Sequence, residues 1–135
     1  MIRENFLPVK IHIKDQPATF ERFEAQWTPT LIIADSDGKE RHRFEGYLPP
    51  DDFISQLRLG LAHAVRGRND WQAAEELYRE LAGDATAGEV RPEALYWAGV
   101  AKYKGGDESA LAETAKLFRE QFPDSTWAKK SSVWG

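Results

Sequence analysis

Trp27-Thr28-Pro29-Thr30-Leu31-Ile32-Ile33-Ala34-Asp35-Ser36-Asp37-Gly38-Lys39 is the stretch from which the fold of this chain can be read. Leu31 to Ala34 is a short unbroken apolar run, the pattern of a strand too buried to alternate. Asp35 to Gly38 supplies turn chemistry: aspartates that can bond their own backbone, and a glycine free to take positive φ. Lys39 to Glu45 returns as a second strand, so residues 30–45 predict a β-hairpin. Gly46 ends it. Pro49-Pro50-Asp51-Asp52 then opens a helix, with proline in its first turn and acids near the positive end of its dipole. Phe53, Ile54, Leu57 and Leu61 give that helix an apolar stripe.

Upstream, Leu7-Pro8-Val9-Lys10-Ile11-His12-Ile13-Lys14 alternates apolar and polar, which predicts a strand over 7–14 with Pro8 near its start. Residues 18–26 predict a short helix, with Phe20 and Phe23 three apart on one face. Downstream the pattern is helical. Gly67-Arg68-Asn69-Asp70 is a break, after which Trp71, Ala74, Leu77, Tyr78 and Leu81 recur at three and four residues. Residues 83–91 predict a loop, and Pro92 the start of the next helix. Leu95, Ala98, Val100 and Tyr103 are its candidates for burial. Gly105-Gly106-Asp107 breaks the chain again before a helix over 109–121. Ser125 caps a last helix carrying Trp127 and Trp134. Trp71, Ala74, Tyr78, Leu95 and Phe118 are expected to form the helical core.

Composition narrows the function classes. Hydrophobic residues make up 41% and charged residues 30% of 135, which fits a globular chain and not a disordered one. A net charge of −4 with scattered cations implies no nucleic-acid affinity. No apolar run reaches the roughly 20 residues of a membrane helix, and the N-terminus has no apolar h-region, so a cytoplasmic location away from membranes is expected. The chain has no cysteine, which removes disulfides, thiolate metal sites and cysteine nucleophiles together. His12, His42 and His63 lie in different predicted elements and read as scattered placement, not as a metal site. Neither metal nor cofactor is expected.

Taken in order, strand, short helix, Thr-Pro-Thr, hairpin with Asp-x-Asp-Gly-Lys, and Gly46 with Pro49 before a helix, residues 1–58 resemble the C-terminal portion of the thioredoxin fold. The resemblance implies that Trp27, Thr28 and Pro29 form the family's peptide-facing cis-proline loop. The residues alone do not imply a cis bond, since only about 5% of X–Pro bonds in folded proteins are cis. The family's first strands and its Cys-x-x-Cys helix are missing, with Met1 falling inside that helix. Residues 59–135 resemble tetratricopeptide repeats: Leu61-Ala62, Trp71, Ala74 and Tyr78 in a first helical hairpin, and Leu95, Gly99, Gly106-Asp107, Phe118 and Pro123 in a second. The expected class is therefore α/β, a truncated thioredoxin-like sheet (strand, helix, β-hairpin, helix) followed by an all-α tetratricopeptide-like helical-hairpin module. The helix opened by Pro49-Pro50 belongs to both parts, so the two are expected to pack as one body.

The chemistry expected of these residues is binding and not catalysis. The acid pairs Asp51-Asp52, Glu75-Glu76 and Asp107-Glu108 fall at helix starts or on exposed faces, where capping and solvation explain them. Gly105-Gly106 lacks the strand and the Lys-Ser/Thr of a phosphate loop. Tyr96 and Trp97 are adjacent and cannot both face one core, so one of them is expected to be exposed or to line a partner groove. The first reading is a non-catalytic module that binds a protein or peptide. The second is the back end of a thiol–disulfide oxidoreductase whose Cys-x-x-Cys-bearing start is missing from this chain. A third is an assembly in which a partner or a second copy pairs with strand 7–14, whose edge is left open.

Overall fold

The computed structural model describes residues 5–9, 17–23 and 30–135. A short helix α1 (Pro17–Arg22) precedes the hairpin of β1 (Thr30–Ala34) and β2 (Glu40–Glu45). Five helices follow: α2 (Pro50–Gly67), α3 (Trp71–Gly83), α4 (Val90–Lys104), α5 (Ala110–Gln121) and α6 (Thr126–Ser131), with single 3-10 turns at Ala85–Ala87 and Ser132–Trp134. Among the described residues, the only sheet is the antiparallel pair β1–β2.

The hairpin is set by its turn. The Asp35 carboxylate accepts the backbone N–H groups of Asp37 and Lys39, both at 3.0 Å, and the Arg41 guanidinium at 2.9 Å. These donors, the Lys39 amide foremost, hold the Asp35 carboxyl below the usual carboxylate range. Gly38 takes φ +80°, which a side chain would resist. Register runs Thr30 to Glu45, Leu31 to Phe44 and Ile33 to His42, then slips so that Ala34 faces Glu40. Arg41 is the extra residue of that bulge. Leu31, Ile33, His42 and Phe44 consequently share one face, which lies on α2. Ala34 is exposed, so the run is half-buried and not the fully buried strand its composition suggests.

Helix α2 carries the hairpin on one side and the helices on the other, and it runs unbroken through residue 58. Pro50 starts it, and Asp51 and Asp52 lie in its first turn. Side-chain caps open α3 and α6. Asp70 accepts the Ala73 amide at 3.2 Å, and Ser125 accepts the Ala128 amide at 3.0 Å. Asn69 takes φ +63° between α2 and α3, a conformation asparagine tolerates. Helix α4 begins at Val90, ahead of Pro92, because a proline in the first turn forfeits no helical hydrogen bond. It packs against α2, α3, α5 and α6, which explains why apolar residues surround it instead of forming one stripe.

Two apolar clusters result. Ile33, Phe44 and Leu57 form a small one, with Phe6, Leu31 and Phe53 against it. The large one contains Leu59, Val65, Tyr78, Leu81, Leu95 and Phe118. Ala74, Tyr78, Leu95 and Phe118 are buried as expected, but Trp71 is only half-buried, because it is the first residue of α3 and sits at the rim. Trp134 lies in a 3-10 turn beyond α6, which ends at Ser131.

Residues 6–9 have no strand pairing, and Leu7 and Val9 are 90% and 72% exposed. The strand expected over 7–14 is thus missing at its first three residues, and residues 10–14 lie outside the described ones. Trp27, Thr28 and Pro29 also lie outside them. No helix of the described residues is long and apolar enough to cross a membrane.

Small residues mark the closest approaches. A Cβ on Gly60 would overlap Ile33 Cδ1 and stand 3.2 Å from His42 Cβ. A Cβ on Gly99 of α4 would overlap Thr114 of α5. Gly83, by contrast, has open space. Gly-to-Ala in a helix otherwise gains about 0.5–1 kcal/mol from backbone entropy. Gly60→Ala is therefore expected to destabilise the protein by about 1–3 kcal/mol in urea unfolding, while Gly83→Ala is neutral or mildly stabilising. Equal stabilisation by both would show that α2 and the hairpin are not in contact at Gly60.

Candidate functional site

The largest concentration of buried polar chemistry lies where the hairpin, α2, α3 and α4 meet. His63 projects from α2 at the position four residues after Leu59, on the buried stripe, and is 6% exposed. Its Nδ1 lies 2.6 Å from the Tyr78 hydroxyl of α3, and its Nε2 lies 3.2 Å from a Glu93 carboxylate oxygen of α4. Arg66, one turn on from His63, donates its Nε–H to the same Tyr78 oxygen at 3.1 Å. From β2, the His42 ring faces His63 at 5.4 Å between centroids, and its Nε2 lies 2.7 Å from the Gln56 side-chain oxygen.

This network admits one self-consistent proton arrangement. Tyr78 accepts from Arg66, so its own O–H donates to His63 Nδ1. His63 then carries its proton on Nε2 and donates it to Glu93. The neutral ring is fully satisfied. Burial pushes the His63 imidazole below its ordinary range, against the opposing pull of Glu93. Burial also raises the Tyr78 hydroxyl to about 12.

Tyr78, His63 and Glu93 thus form a hydroxyl–imidazole–carboxylate chain, the order of groups in a nucleophilic triad. Here the order serves structure. Tyr78 is fully buried, so no substrate reaches its oxygen, and its raised pKa opposes the phenolate. Among the described residues no group of three His, Cys, Asp or Glu is placed to hold a metal ion. A surface depression between α5 and the C-terminus, lined by Phe118, Arg119, Pro123, Lys129 and Ser132, carries no acid–base pair.

Tyr96 and Trp97, the aromatics singled out from sequence, are both half-buried. Neither is fully exposed, because the C-terminal segment folds back over α4. Tyr96 stacks on Trp134 at 4.7 Å and contacts Trp127 at 5.0 Å. Trp97 turns the other way, edge-on to His63 at 6.0 Å, with the Arg66 guanidinium 4.0 Å over its ring. Its Nε1 is buried and has no hydrogen-bond partner among the described residues. The aromatic group therefore continues the polar seam from α2 to the C-terminus. Sequence reasoning set His42 and His63 apart because 21 positions separate them and neither belongs to a motif. The available signal was one imidazole on an otherwise apolar helical stripe.

A second link ties the parts together at the surface. Arg58 of α2 pairs with Asp84, just past α3, at 2.7 Å. The Thr86 hydroxyl and Arg58 lower the Asp84 carboxyl to about 2.

The comparisons with known proteins agree with the first part of this architecture. A family model described as a thioredoxin-like domain matches residues 1–60. The match ends at Gly60, inside the helix on which the hairpin rests. It supports a thioredoxin-like domain over this part, which is less than half of the chain. No curated protein and no solved structure matches the chain.

Tyr78→Phe removes one oxygen and leaves His63 Nδ1 and Arg66 Nε without their partner in a buried site. It is expected to cost about 1–3 kcal/mol in denaturant unfolding. An unchanged midpoint would mean that water, not Tyr78, satisfies these groups.

Proposed function

We propose that this chain is a non-catalytic, cytoplasmic protein-binding module, a thioredoxin-like part joined to a tetratricopeptide-like helical module. One observation carries the reading: residues 1–60 match a thioredoxin-like domain, yet all 135 residues lack cysteine. Thiol–disulfide exchange needs a thiolate at each step, so what remains of such a domain is its ability to hold a polypeptide. By resemblance to the family, Trp27, Thr28 and Pro29 are the residues proposed to meet an extended peptide. Tyr96 and Trp97 belong to the same proposal as part of the helical module's partner face. Tyr47, Leu48 and Ile54 are exposed at the corner where β2 enters α2, and they support an apolar contact there. Leu7 and Val9 support self-association through residues 7–14.

A second reading draws on the same family match: the chain is the C-terminal part of a thiol–disulfide oxidoreductase. An in-frame Cys-x-x-Cys encoded about 15–25 residues before Met1, one helix plus its approach, would establish it.

The binding reading is tested by selecting displayed peptides on the purified chain and titrating a selected synthetic peptide by calorimetry. Saturable binding that weakens on the order of tenfold, about 1.4 kcal/mol, in Trp27→Ala and Pro29→Ala is expected. The same protein should show no insulin reduction above a protein-free control. Failure of every selected peptide to saturate, or thiol turnover by this chain, would contradict the proposal.

A further inference from the structure

The two imidazoles at the seam come from opposite parts of the molecule. His42 belongs to the hairpin, and His63 to the helix that carries the helical module. We propose that this His42–His63 contact is an acid-sensitive latch, in which protonation of His63 lifts the β-hairpin off the helical module while the module stays folded. Nothing in the binding reading requires such a latch, and the latch does not depend on it.

Among the described residues, the groups that face His63 come from each element packed around it. Arg66 is on its own helix, His42 comes from β2, Tyr78 from α3, and Glu93 from α4. Trp97 of α4 adds only a ring edge. Arg41 of β2 lies close by at the end of α2 but is paired with Asp35 at 2.8 Å. Among these groups, Glu93 alone favours a cation. Against it stand the Arg66 guanidinium, a second imidazole and burial itself.

Protonation also breaks the hydrogen-bond order. A proton on His63 Nδ1 meets the Tyr78 oxygen, which must then accept from both Arg66 and His63. The Tyr78 O–H is left without an acceptor among the described residues, a costly state for a buried hydroxyl. The neutral ring has no such conflict.

The weaker side of the seam is the one that yields. The hairpin is held on α2 by a small cluster, Ile33, Phe44 and Leu57, and by the close approach at Gly60. The helices share the larger apolar cluster and do not need the hairpin to close it. Separating His42 from His63 uncovers the hairpin-facing side of the His63 ring, which lessens the burial that opposes its charged form. Lifting the hairpin is therefore the least disruptive response to acid.

The sign follows from linkage. A folded-state His63 with a lowered pKa binds fewer protons than the open state, so docking is strongest above the ordinary histidine range, near pH 6.5. It weakens as pH falls through that range, by up to about tenfold per pH unit for each proton taken up.

The test is hydrogen–deuterium exchange on the full chain from about pH 7.5 to about pH 5, corrected for the intrinsic pH dependence of exchange. Protection of the β1 and β2 amides is expected to fall about tenfold or more over that interval, while α3 and α4 keep theirs. His63→Gln should abolish most of this dependence. His42→Gln, a change on the half-buried hairpin face, should reduce it even if the His63 variant fails to fold. Hairpin protection that is flat with pH would overturn the latch. So would a parallel loss in α3 and α4, or an undiminished dependence in His42→Gln.

Discussion

The contact between Gly60 and Ile33 is the constraint on which the joining of hairpin and helices depends. A hairpin of two short strands is not stable by itself in water and needs a surface to cover its apolar face. Helix α2 provides one, but only if the backbones approach closely enough for Leu31, Ile33 and Phe44 to reach Phe53 and Leu57. The missing side chain at Gly60 allows that approach. Because the same helix continues to Gly67 and packs on α3, the hairpin is tied to the helical module through one rigid rod and not through a linker.

A close seam brings polar groups inside with the apolar ones. His63 sits where α2 is covered from three sides, and it is tolerated because Tyr78 and Glu93 satisfy its two ring nitrogens while Arg66 holds the Tyr78 oxygen. Such a network stabilises little beyond what an apolar packing would, yet it penalises any arrangement that leaves a member unpaired. It therefore fixes how α2, α3 and α4 meet, while the His42–Gln56 hydrogen bond at 2.7 Å ties the hairpin to α2. The proposed latch acts on this seam.

Local rules made much of the fold legible. Asp35 to Gly38 marked the hairpin turn, Pro49-Pro50 the start of α2, Gly67 to Asp70 the break before α3, and Ser125 the cap of α6, because each acts on neighbours within four residues. Features that depend on distant packing were not legible. Trp71 follows the helical period yet sits at a helix start on the rim. Ala34 ends an apolar run but faces solvent past the bulge at Arg41. Tyr96 and Trp97 were expected to differ in exposure, and a return of the chain to Trp127 and Trp134 buries part of each. His42 and His63 meet only through the tertiary fold, so no spacing in the sequence announces them.

The central claim is that hairpin and helices form one cooperative body at neutral pH, joined along α2. Urea unfolding at about pH 7.5, above the histidine range, followed residue by residue through amide NMR signals, tests it most directly. The account predicts one midpoint and one slope for the amides of β1, β2, α3 and α4. A hairpin that unfolds at distinctly lower urea than the helices would contradict it, because the two parts would then be neighbours on a string and not sides of one seam.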